Sequence, residues 1–412
     1  MNILFITQYF TPEIGAAAAR IFDIAQESRL QGHTPTVISE TPHYPSNAVL
    51  KGYRNCFIKR ERFCQIQVLR SYVMVSKREN FIQRFCLYIS FIFSSIINSF
   101  SIKWADLVFA SSPPLTVGLA GFVISRIKHA KFVLDVRDLW PESALALGEL
   151  KQGFVFKLLQ KLETYLYHKA DLITIAVPGF RNHMKRAGIS DDKIFDLPNG
   201  ANLDLFEYYE NRNLLKKETN LDEKFIVLFS GNHGLAQGLE SILYVAKDLL
   251  DYQDIVFILI GDGVRKKALI QLKDQLRLEN VCFFDKVTRE ALPKYISISD
   301  VCLVPLIKHP LFLSALPSKM FEYMACNKPV IVAIDGEAKE MILKSGAGLN
   351  VEPENTSQIK QAILQFYMDA DLKRKAGHRG RQWVERHFSR RELIGGFYRR
   401  LDQLQQGNRR AS

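Results

Sequence analysis

The stretch "IVFILIGDGVRKK" (255–267) is an apolar run that ends in two glycines and then becomes polar. Such a run predicts a buried β-strand, and Gly261 and Gly263 allow a tight turn before a helix. This order is typical of doubly wound α/β sheets, in which ligands bind beyond the carboxyl ends of the strands. Free N–H groups at the start of the helix favour an anion. A loop that needs glycine only for its geometry is the simpler alternative.

The same alternation of apolar runs and helical segments extends over both halves of the chain. In the first half the strand candidates are residues 2–7, 36–40, 66–74, 106–112, 131–136 and 171–177. In the second half they are residues 225–231, 255–263, 281–285, 301–306, 329–333 and 348–351. Short apolar strands between helices predict parallel sheets covered on both faces. The predicted fold is α/β, with two doubly wound, Rossmann-like domains that face a cleft.

A polar segment separates the two series of strands. Residues 197–224 are polar and contain an Asn-Gly turn signal at 199–200. The sequence therefore predicts an N-terminal domain over 1–205, a linker over 206–223 and a C-terminal domain over 224–389. The remaining residues, 390–412, are predicted to form a basic, aromatic helix.

The overall composition limits the kinds of partner. The chain has 412 residues and a formal net charge of +12 at pH 7, which implies an acidic partner such as phosphate, nucleic acid or a membrane surface. The six cysteines form no CxxC pair, which argues against zinc and disulfide frameworks and fits a reducing cytoplasm. The N-terminal "MNILFITQYF" predicts a first strand rather than a secretion signal.

A basic cluster lies next to an uncharged aromatic run. Nine Lys and Arg residues between 51 and 84 are followed by "FCLYISFIFSSIINSF" (85–100), which is shorter than a membrane span. Two interpretations remain open: a face that dips into an anionic leaflet, or a buried core helix beside a solvated basic loop.

Two further glycine loops are weaker signals. In "FSGNHGLAQGLESIL" (229–243), Gly231 and Gly238 loosen the turn before a helix, but the stretch is neither GxGxxG nor a P-loop. In "TPEIGAAAAR" (11–20), Gly15 precedes small residues that allow a ligand or a neighbouring domain to approach closely. Simple helix–sheet packing by the alanines is the alternative.

Charged residues leave the edge of the first sheet in "LDVRDLWPES" (134–143). Asp138 is a candidate general base or acceptor contact, together with Arg137, since charges at such an edge are costly unless they are used or paired. An internal Asp–Arg pair is the alternative. His43 lies on another loop of the same edge, where a histidine is also compatible with a structural or solvated role.

The stretch "PSKMFEYMA" (317–325) begins a helix with a charged pair. Lys319 and Glu322 share one face at a spacing of i, i+3. A cation at a helix N-terminus opposes the macrodipole, so a bound anion would explain Lys319. The alternative is a surface ion pair, worth less than about 1 kcal/mol.

Taken in order, "TPEIGAAAAR", "DVRDLWPES", "PNGANLDLF", "GNHGLAQGLE", "IGDG" and "PSKMFEYMACNKPVIVA" resemble family 4 glycosyltransferases of the GT-B fold. The first two segments resemble the WbuB-like subgroup, L-fucosamine transferases of bacterial polysaccharide synthesis. The resemblance covers essentially the whole chain. It implies a nucleotide-sugar donor on the C-terminal domain, an acceptor on the N-terminal domain, and retaining transfer without a cofactor or metal. It also implies that the helix of 390–412 packs back on the first domain.

The resemblance assigns roles by position. Glu322 matches the glutamate that bonds the donor ribose, and Gly15 matches a glycine that faces the donor phosphate. The implied donor-binding residues are Gly15, Gly231, Asn232, Gln237, Gly238, Gly261, Asp262, Gly263, Arg265, Ser314, Pro317, Ser318, Lys319 and Glu322. The implied acceptor side is His43, Arg137 and Asp138, and the catalytic candidates are Lys319, Glu322 and Asp138.

The sequence departs from the family pattern at three positions. Ser314 stands where the family has a glutamate that contacts the transferred sugar. Asn232 and Gln237 stand where the family often has Arg and Lys. We therefore assign the diphosphate to Lys319, with Arg265 as second candidate. The missing glutamate suggests an unusual sugar such as a 6-deoxy-N-acetylhexosamine, for example N-acetyl-L-fucosamine.

The sequence thus predicts transfer from a UDP-sugar to a polyprenyl-diphosphate-linked saccharide in O-antigen, capsule or exopolysaccharide synthesis. The enzyme would be cytoplasmic and peripheral on the anionic inner face of the membrane, which it would contact through residues 51–102. One alternative is a UDP-N-acetylglucosamine 2-epimerase-like GT-B enzyme. A second is a basic nucleic-acid-binding protein, although no nucleic-acid motif is recognised and no such partner is expected.

Overall fold

The computed structural model describes residues 1–410 except 14, 44–47, 55, 77–80, 147, 149, 208–215 and 218–220. The chain forms two compact units. Unit 1 comprises Met1–Pro198 and Arg391–Ser412, and unit 2 comprises Asn199–Arg390. Part of the predicted linker, at 208–215 and 218–220, lies outside the described residues.

Unit 1 contains an eight-stranded sheet with the order β3-β4-β2-β1-β5-β6-β7-β8. Its strands are β1 (Asn2–Thr7), β2 (Thr34–Glu40), β3 (Ile58–Phe63), β4 (Ile66–Ser71), β5 (Leu107–Ser112), β6 (Lys131–Val136), β7 (Leu172–Ile175) and β8 (Ile194–Asp196). Central strands such as β5 are buried along their whole length because helices cover both faces.

The described helices of unit 1 are α1 (Ala16–Leu30), α2 (Phe81–Ser99), α3 (Leu115–Ile127), α4 (Glu142–Ala146), α5 (Phe154–Lys169), α6 (Phe180–Arg186) and, after all of unit 2, the C-terminal helix (Arg390–Arg410). The C-terminal helix lies in the core of unit 1, where Phe397 meets Phe109 at a ring-centroid distance of 5.6 Å.

The first sheet contains two strands that the apolar pattern did not predict. β3 pairs antiparallel with β4, so the expectation of parallel strands alone is wrong for this edge. Its sequence, "IKRERF", carries charges and alternates between exposed and half-buried positions, as an edge strand can. β8 has only three residues, too few for an apolar run.

Unit 2 contains a six-stranded parallel sheet with the order β11-β10-β9-β12-β13-β14. Its strands are β9 (Phe225–Ser230), β10 (Ile255–Ile260), β11 (Val281–Phe284), β12 (Val301–Pro305), β13 (Val330–Ala333) and β14 (Gly348–Asn350). Its described helices are α7 (Leu239–Lys247), α8 (Lys266–Gln275), α9 (Leu292–Ile298), α10 (Ser318–Ala325), α11 (Glu337–Ser345), α12 (Thr356–Met368) and α13 (Ala370–His387), so the C-terminal helix is α14. The predicted α/β fold with two Rossmann-like units is confirmed.

The uncharged run after the basic cluster forms α2, which has two different faces. One face is buried and contains Phe91, Ser95 and Asn98, while Phe93 and Ile97 are 64% and 49% exposed. The helix therefore packs on the sheet and still presents apolar side chains outward. Among the described residues, no helix combines the length and apolar character needed to cross a bilayer. The predicted surface of 51–102 includes residues 55 and 77–80, which lie outside the described residues.

Candidate functional site

Two glycine loops follow β9 and β10 at the carboxyl edge of the unit 2 sheet. The loops are joined by backbone hydrogen bonds: His233 N–H donates to Asp262 O at 2.8 Å, and Arg265 N–H donates to His233 O at 2.9 Å. Parallel neighbours in a sheet end at the same edge, which is why two loops distant in sequence meet here.

Glycine is required where these loops touch. Gly261 has φ +148, and a Cβ atom there would lie 1.9 Å from the carbonyl oxygen of Gly231. Gly263 has φ +155, and its Cβ atom would lie 2.5 Å from the carbonyl oxygen of His233. L-residues rarely adopt such φ values, so both position and conformation exclude larger side chains.

Helix α10 is fixed against the first loop by a buried tyrosine. The hydroxyl oxygen of Tyr323 accepts a hydrogen bond from the backbone N–H of Ser230 at 2.7 Å and lies 2.9 Å from its Oγ. Tyr323 is fully buried. The first turn of α10, which carries Lys319, is thereby held next to the end of β9.

Lys319 lies directly over the glycine loop. Its Nζ donates to Oε1 of Gln237 at 2.8 Å and lies 3.8 Å from the centroid of the Phe229 ring. A Cβ atom at Gly231 would lie 3.0 Å from the same nitrogen. Burial lowers the pKa of Lys319 to about 7, and the carboxylate of Glu322 acts in the opposite direction. The site thus holds a cation whose charge a bound anion would stabilise.

The neighbouring cations are already engaged by carboxylates. Arg265 Nε donates to Glu240 Oε1 at 2.9 Å, and Lys266 Nζ donates to Asp285 Oδ1 at 2.7 Å. Arg265, the second candidate for the diphosphate, would have to exchange this partner in order to bind it. Lys319, by contrast, is held by an amide oxygen and an aromatic ring.

The remaining donor candidates lie on the same loops or beside them. Asn232 and Asp262 are exposed, and Asp262 Oδ1 accepts from the backbone N–H of Gly263 at 2.8 Å. Gly238 adopts φ +57 where α7 begins. The other four candidates belong to α10 or to the segment before it. Ser314 ends a short 3₁₀ turn, Pro317 caps the helix, and Ser318 and Glu322 lie within it.

His233 is a neighbour of the site that sequence reasoning missed. It is fully buried, and its ring lies between the rings of Phe229 and Phe283 at centroid distances of 5.8 and 5.9 Å. Burial and the charges of Lys266 and Lys319 lower the pKa of His233 to about 4, so the ring is neutral. A single histidine in a glycine-rich loop gives no signal of burial.

In unit 1, the buried Asp–Arg pair of strand β6 joins Asp135 to Arg20, and not two residues of the 134–143 segment. Asp135 is fully buried, and its carboxylate accepts hydrogen bonds from Arg20 Nη2 at 2.7 Å and from Arg20 Nε at 3.1 Å. Ser111 and Thr174 also donate to this carboxylate, at 2.8 and 2.7 Å. Burial opposes ionisation of Asp135, but Arg20 and the Thr174 hydroxyl hold its pKa below the ordinary value. The pair crosslinks α1 to the sheet.

Arg137 and Asp138 directly follow the strand that contains Asp135, but they do not share its partners. Arg137 Nη2 donates to the carbonyl oxygen of Pro113 at 2.7 Å, and burial lowers its pKa. Burial raises the pKa of Asp138, while Ser143 and the backbone of Leu139 oppose the rise through hydrogen bonds. A carboxyl group with a raised pKa is suited to accept a proton, although its contact with an acceptor stays a prediction.

His43 and Gly15, the other unit 1 candidates, differ in exposure. His43 is buried; its backbone N–H donates to Glu13 Oε1 at 3.0 Å, and its Nδ1–H donates to the carbonyl oxygen of Thr41 at 2.9 Å. Glu40, which the sequence analysis missed, lies 3.9 Å from its Nε2. Gly15 is exposed and caps α1 in an extended conformation.

The glycine loops and Lys319 lie within a segment that matches a known protein family. Residues 211–383, which include the glycine loops and Lys319, match the family described as Glycosyl transferases group 1. Over 410 residues the chain is 25% identical to WcaI of Escherichia coli (strain K12), which is named as a colanic acid biosynthesis glycosyl transferase. The match covers 96% of this chain and 98% of the relative.

Solved structures share the two-unit fold. Sucrose-phosphate synthase from Thermosynechococcus elongatus has a TM-score of 0.78 at 17% identity, over 98% of this chain and 100% of that chain. HepE from Anabaena in complex with UDP-glucose has a TM-score of 0.74 at 16% identity, also over 98% of this chain and 100% of that chain. Likeness at these identities establishes the GT-B fold, while the WbuB-like subgroup stays a prediction.

Proposed function

This chain is a glycosyltransferase, and we propose that it transfers a sugar from a UDP-sugar to a lipid-linked saccharide during synthesis of a bacterial surface polysaccharide. The observation that carries the proposal is the position of the Lys319 ammonium over the loop at Gly231, with Gln237 and Phe229 as its partners. A diphosphate suits this position because it supplies the negative charge that these partners lack.

Two comparisons support the choice of donor and product. HepE, which shares the fold, was solved with UDP-glucose. WcaI, which matches nearly the whole chain, is named for colanic acid biosynthesis. The proposed donor is therefore a UDP-sugar and the proposed product a surface polysaccharide such as O-antigen, capsule or exopolysaccharide.

The proposed chemistry needs no metal or cofactor. The bond between the anomeric carbon and the UDP oxygen breaks, and the acceptor oxygen bonds to the same face of that carbon. The acceptor proton passes to a phosphate oxygen of the leaving UDP. Lys319 and the N–H groups at the start of α10 would stabilise the charge that develops on the diphosphate. Glu322 would accept hydrogen bonds from two ribose hydroxyls, which would hold the nucleotide in place.

The proposed transferred sugar is a 6-deoxy-N-acetylhexosamine such as N-acetyl-L-fucosamine. Its basis is Ser314, which supplies a neutral hydroxyl where the family pattern has a sugar-binding glutamate. A sugar that carries an N-acetyl group or lacks one hydroxyl would be bound by protein groups other than a carboxylate at position 314.

The proposed acceptor is a polyprenyl-diphosphate-linked saccharide bound by unit 1 near His43, Arg137 and Asp138. The exposed apolar face of α2 would then contact the cytoplasmic membrane in which such an acceptor is anchored. Lys and Arg residues of 51–62 and Arg84 supply charge that attracts anionic lipids.

The test incubates the protein with a panel of UDP-, GDP- and dTDP-sugars and lipid-linked acceptors. Nucleotide release and the mass of the product are measured. We expect Lys319→Ala to lower turnover by about a hundredfold, because one positioned donor for developing charge is worth that much. Glu322→Ala should raise the KM for the donor. Lys344→Ala, an exposed lysine of α11, is the matched control. Wild-type kinetics in both site variants would contradict the proposal.

The same experiment separates the epimerase alternative. An epimerase would convert the free UDP-sugar when no acceptor is present, whereas a transferase would release UDP at most slowly by hydrolysis. The acceptor-free reaction should therefore leave the stereochemistry of the recovered donor unchanged.

A further inference from the structure

Three side chains capable of binding a metal meet in unit 1, on three consecutive helices. They are Glu142 of α4, Glu163 of α5 and His183 of α6. One oxygen or nitrogen atom from each lies within 4.8 Å of the others. The group combines two carboxylates with an imidazole, a ligand set that transition-metal ions bind.

The distance between two of these residues is long for a hydrogen bond and is compatible with two ligands of one metal ion. His183 Nε2 and Glu163 Oε2 are 3.4 Å apart. A charged N–H···O⁻ bond is normally about 2.7–2.9 Å long, so this contact is weak as an ion pair. Two ligand atoms of a tetrahedral zinc ion, with bonds of about 2.0–2.1 Å, lie about 3.4 Å apart. The observed pair already has the separation of one edge of that tetrahedron.

A second, separate observation concerns Glu142. Its Oε2 atom is buried and has no hydrogen-bond partner within the part of the chain that the structure describes. A buried carboxylate oxygen without a partner costs roughly 1–3 kcal/mol or more. A cation bound at this position would compensate that cost, and His183 lies close enough to bind the same cation.

The other oxygen of each carboxylate is held from outside the group. Glu142 Oε1 accepts from Gln160 Nε2 at 2.9 Å, and Glu163 Oε1 accepts from the hydroxyl of Tyr167 at 2.6 Å. Metal-binding carboxylates are commonly oriented in this way, by donors that leave the second oxygen for the ion. Gln160 and Tyr167 thus act as positioning residues for the two ligands.

We propose that Glu142, Glu163 and His183 bind one divalent transition-metal ion, with Zn²⁺ the preferred ion and water as its fourth ligand. To complete the site, the Glu142 carboxylate must approach the other two ligands by about 1–1.5 Å, so that each bond is about 2.0–2.2 Å long. The ion would crosslink the helices α4, α5 and α6 of unit 1 and stabilise their packing. Apart from Gly15, the donor candidates belong to unit 2, and the proposed transfer does not use the ion.

The opposing explanation is a hydrogen-bonded Glu–His–Tyr network that needs no ion. Both explanations predict that Glu163 and His183 stabilise the fold. They differ in what Zn²⁺ does, because only the metal site gains affinity and stability from added ion.

The test uses the full-length, tag-free protein, stripped with a chelator and titrated with Zn²⁺, Mn²⁺ and Mg²⁺ by calorimetry, with metal content measured after gel filtration. We expect one Zn²⁺ per chain and no measurable Mg²⁺ binding, since Mg²⁺ prefers six oxygen ligands. His183→Ala and Glu142→Gln should each weaken Zn²⁺ binding by at least about a hundredfold, and Tyr167→Phe by about tenfold.

The matched control is His168→Ala, which removes an exposed histidine of α5 outside the group. Zn²⁺ should raise the melting temperature of the wild type and of His168→Ala, and should leave Glu142→Gln unchanged. Circular dichroism verifies that each variant is folded. Equal Zn²⁺ affinity in the wild type and Glu142→Gln, or loss of binding in His168→Ala, would overturn the proposal. Neither result depends on which sugar donor the enzyme uses.

Discussion

The ammonium of Lys319 donates to the amide oxygen of Gln237 at 2.8 Å and lies 3.8 Å from the Phe229 ring. Both partners are uncharged, so they compensate little of the cost of burying the cation. The lowered pKa of Lys319, about 7, follows from this arrangement. The charge of the site should therefore depend on whether an anion is bound.

This relationship predicts pH-dependent donor binding. Below about pH 7 the free protein carries a charged Lys319, and above it the lysine must take up a proton in order to bind a diphosphate. The Kd for UDP-glucose, used as a probe whose phosphates do not titrate in this range, should rise about tenfold from pH 6 to pH 8. Calorimetry in two buffers should detect the proton uptake.

Lys319→Arg is the control for that experiment. Arginine keeps its charge throughout this range, so the variant should show a nearly flat pH profile even if its affinity is lower. An identical slope in the wild type and the variant would assign the dependence to another group.

Gly261 should tolerate no side chain. Its φ is +148, and an added Cβ atom would lie only 1.9 Å from the carbonyl oxygen of Gly231. Gly261→Ala should therefore lose about 3 kcal/mol or more of stability. Gly153→Ala is a suitable comparison, because nothing lies within 4 Å of its Cβ position. Urea unfolding followed by fluorescence measures both, and similar losses would contradict the close approach of the two loops.

Most of the fold could be predicted from the sequence, because apolar runs between helices mark parallel strands directly. The exceptions were β8, which is too short for an apolar run, and β3, whose charged residues "KRER" give no apolar run although the strand pairs with β4. Pairing at a sheet edge depends on the neighbouring strand, which a local pattern does not contain.

The site was predicted only in part, because a local pattern shows neighbours in sequence and not neighbours in space. The glycines could be predicted since they directly follow apolar strands. The partner of Lys319 could not, because Gln237 is 82 residues away, and the partner of Asp135 is 115 residues away. The fold alone brings such pairs together.

Glu40 predicts a pH effect on stability. It is fully buried, and burial together with Glu13 raises its pKa well above the ordinary value. A side-chain hydrogen bond with Gln8 opposes this rise. As pH rises above the ordinary glutamate pKa, the unfolded chain loses a proton that the folded chain keeps. The wild type should therefore lose stability over that range.

Glu40→Gln removes this titration and keeps the shape of the neutral acid. Its stability relative to the wild type should increase by about 1 kcal/mol or more between pH 5 and pH 8, measured by urea unfolding. Glu223→Gln, at an exposed position, provides the comparison. A difference that does not change with pH would show that Glu40 is ionised in the folded protein.

The exposed face of α2 predicts binding to anionic vesicles. Phe93 and Ile97 are 64% and 49% exposed, and burying two such side chains in lipid contributes several kcal/mol. The double variant Phe93→Ser/Ile97→Ser should lower the fraction that floats with phosphatidylglycerol vesicles by about tenfold or more. Leu343→Ser, 66% exposed in unit 2, serves as control. Equal flotation of all three proteins would contradict the proposed membrane face.

Helix α14 lies in the core of unit 1, although it follows all of unit 2 in the chain. On the ribosome, residues 1–198 therefore emerge long before Ile394, Phe397 and Leu401 are made to cover Phe109 and its neighbours. The second unit has its whole sequence available first. Unit 1 is thus synthesised first but completed last. Released chains truncated directly after residue 390 should hold a finished second unit and a first unit that still exposes apolar surface to chaperones.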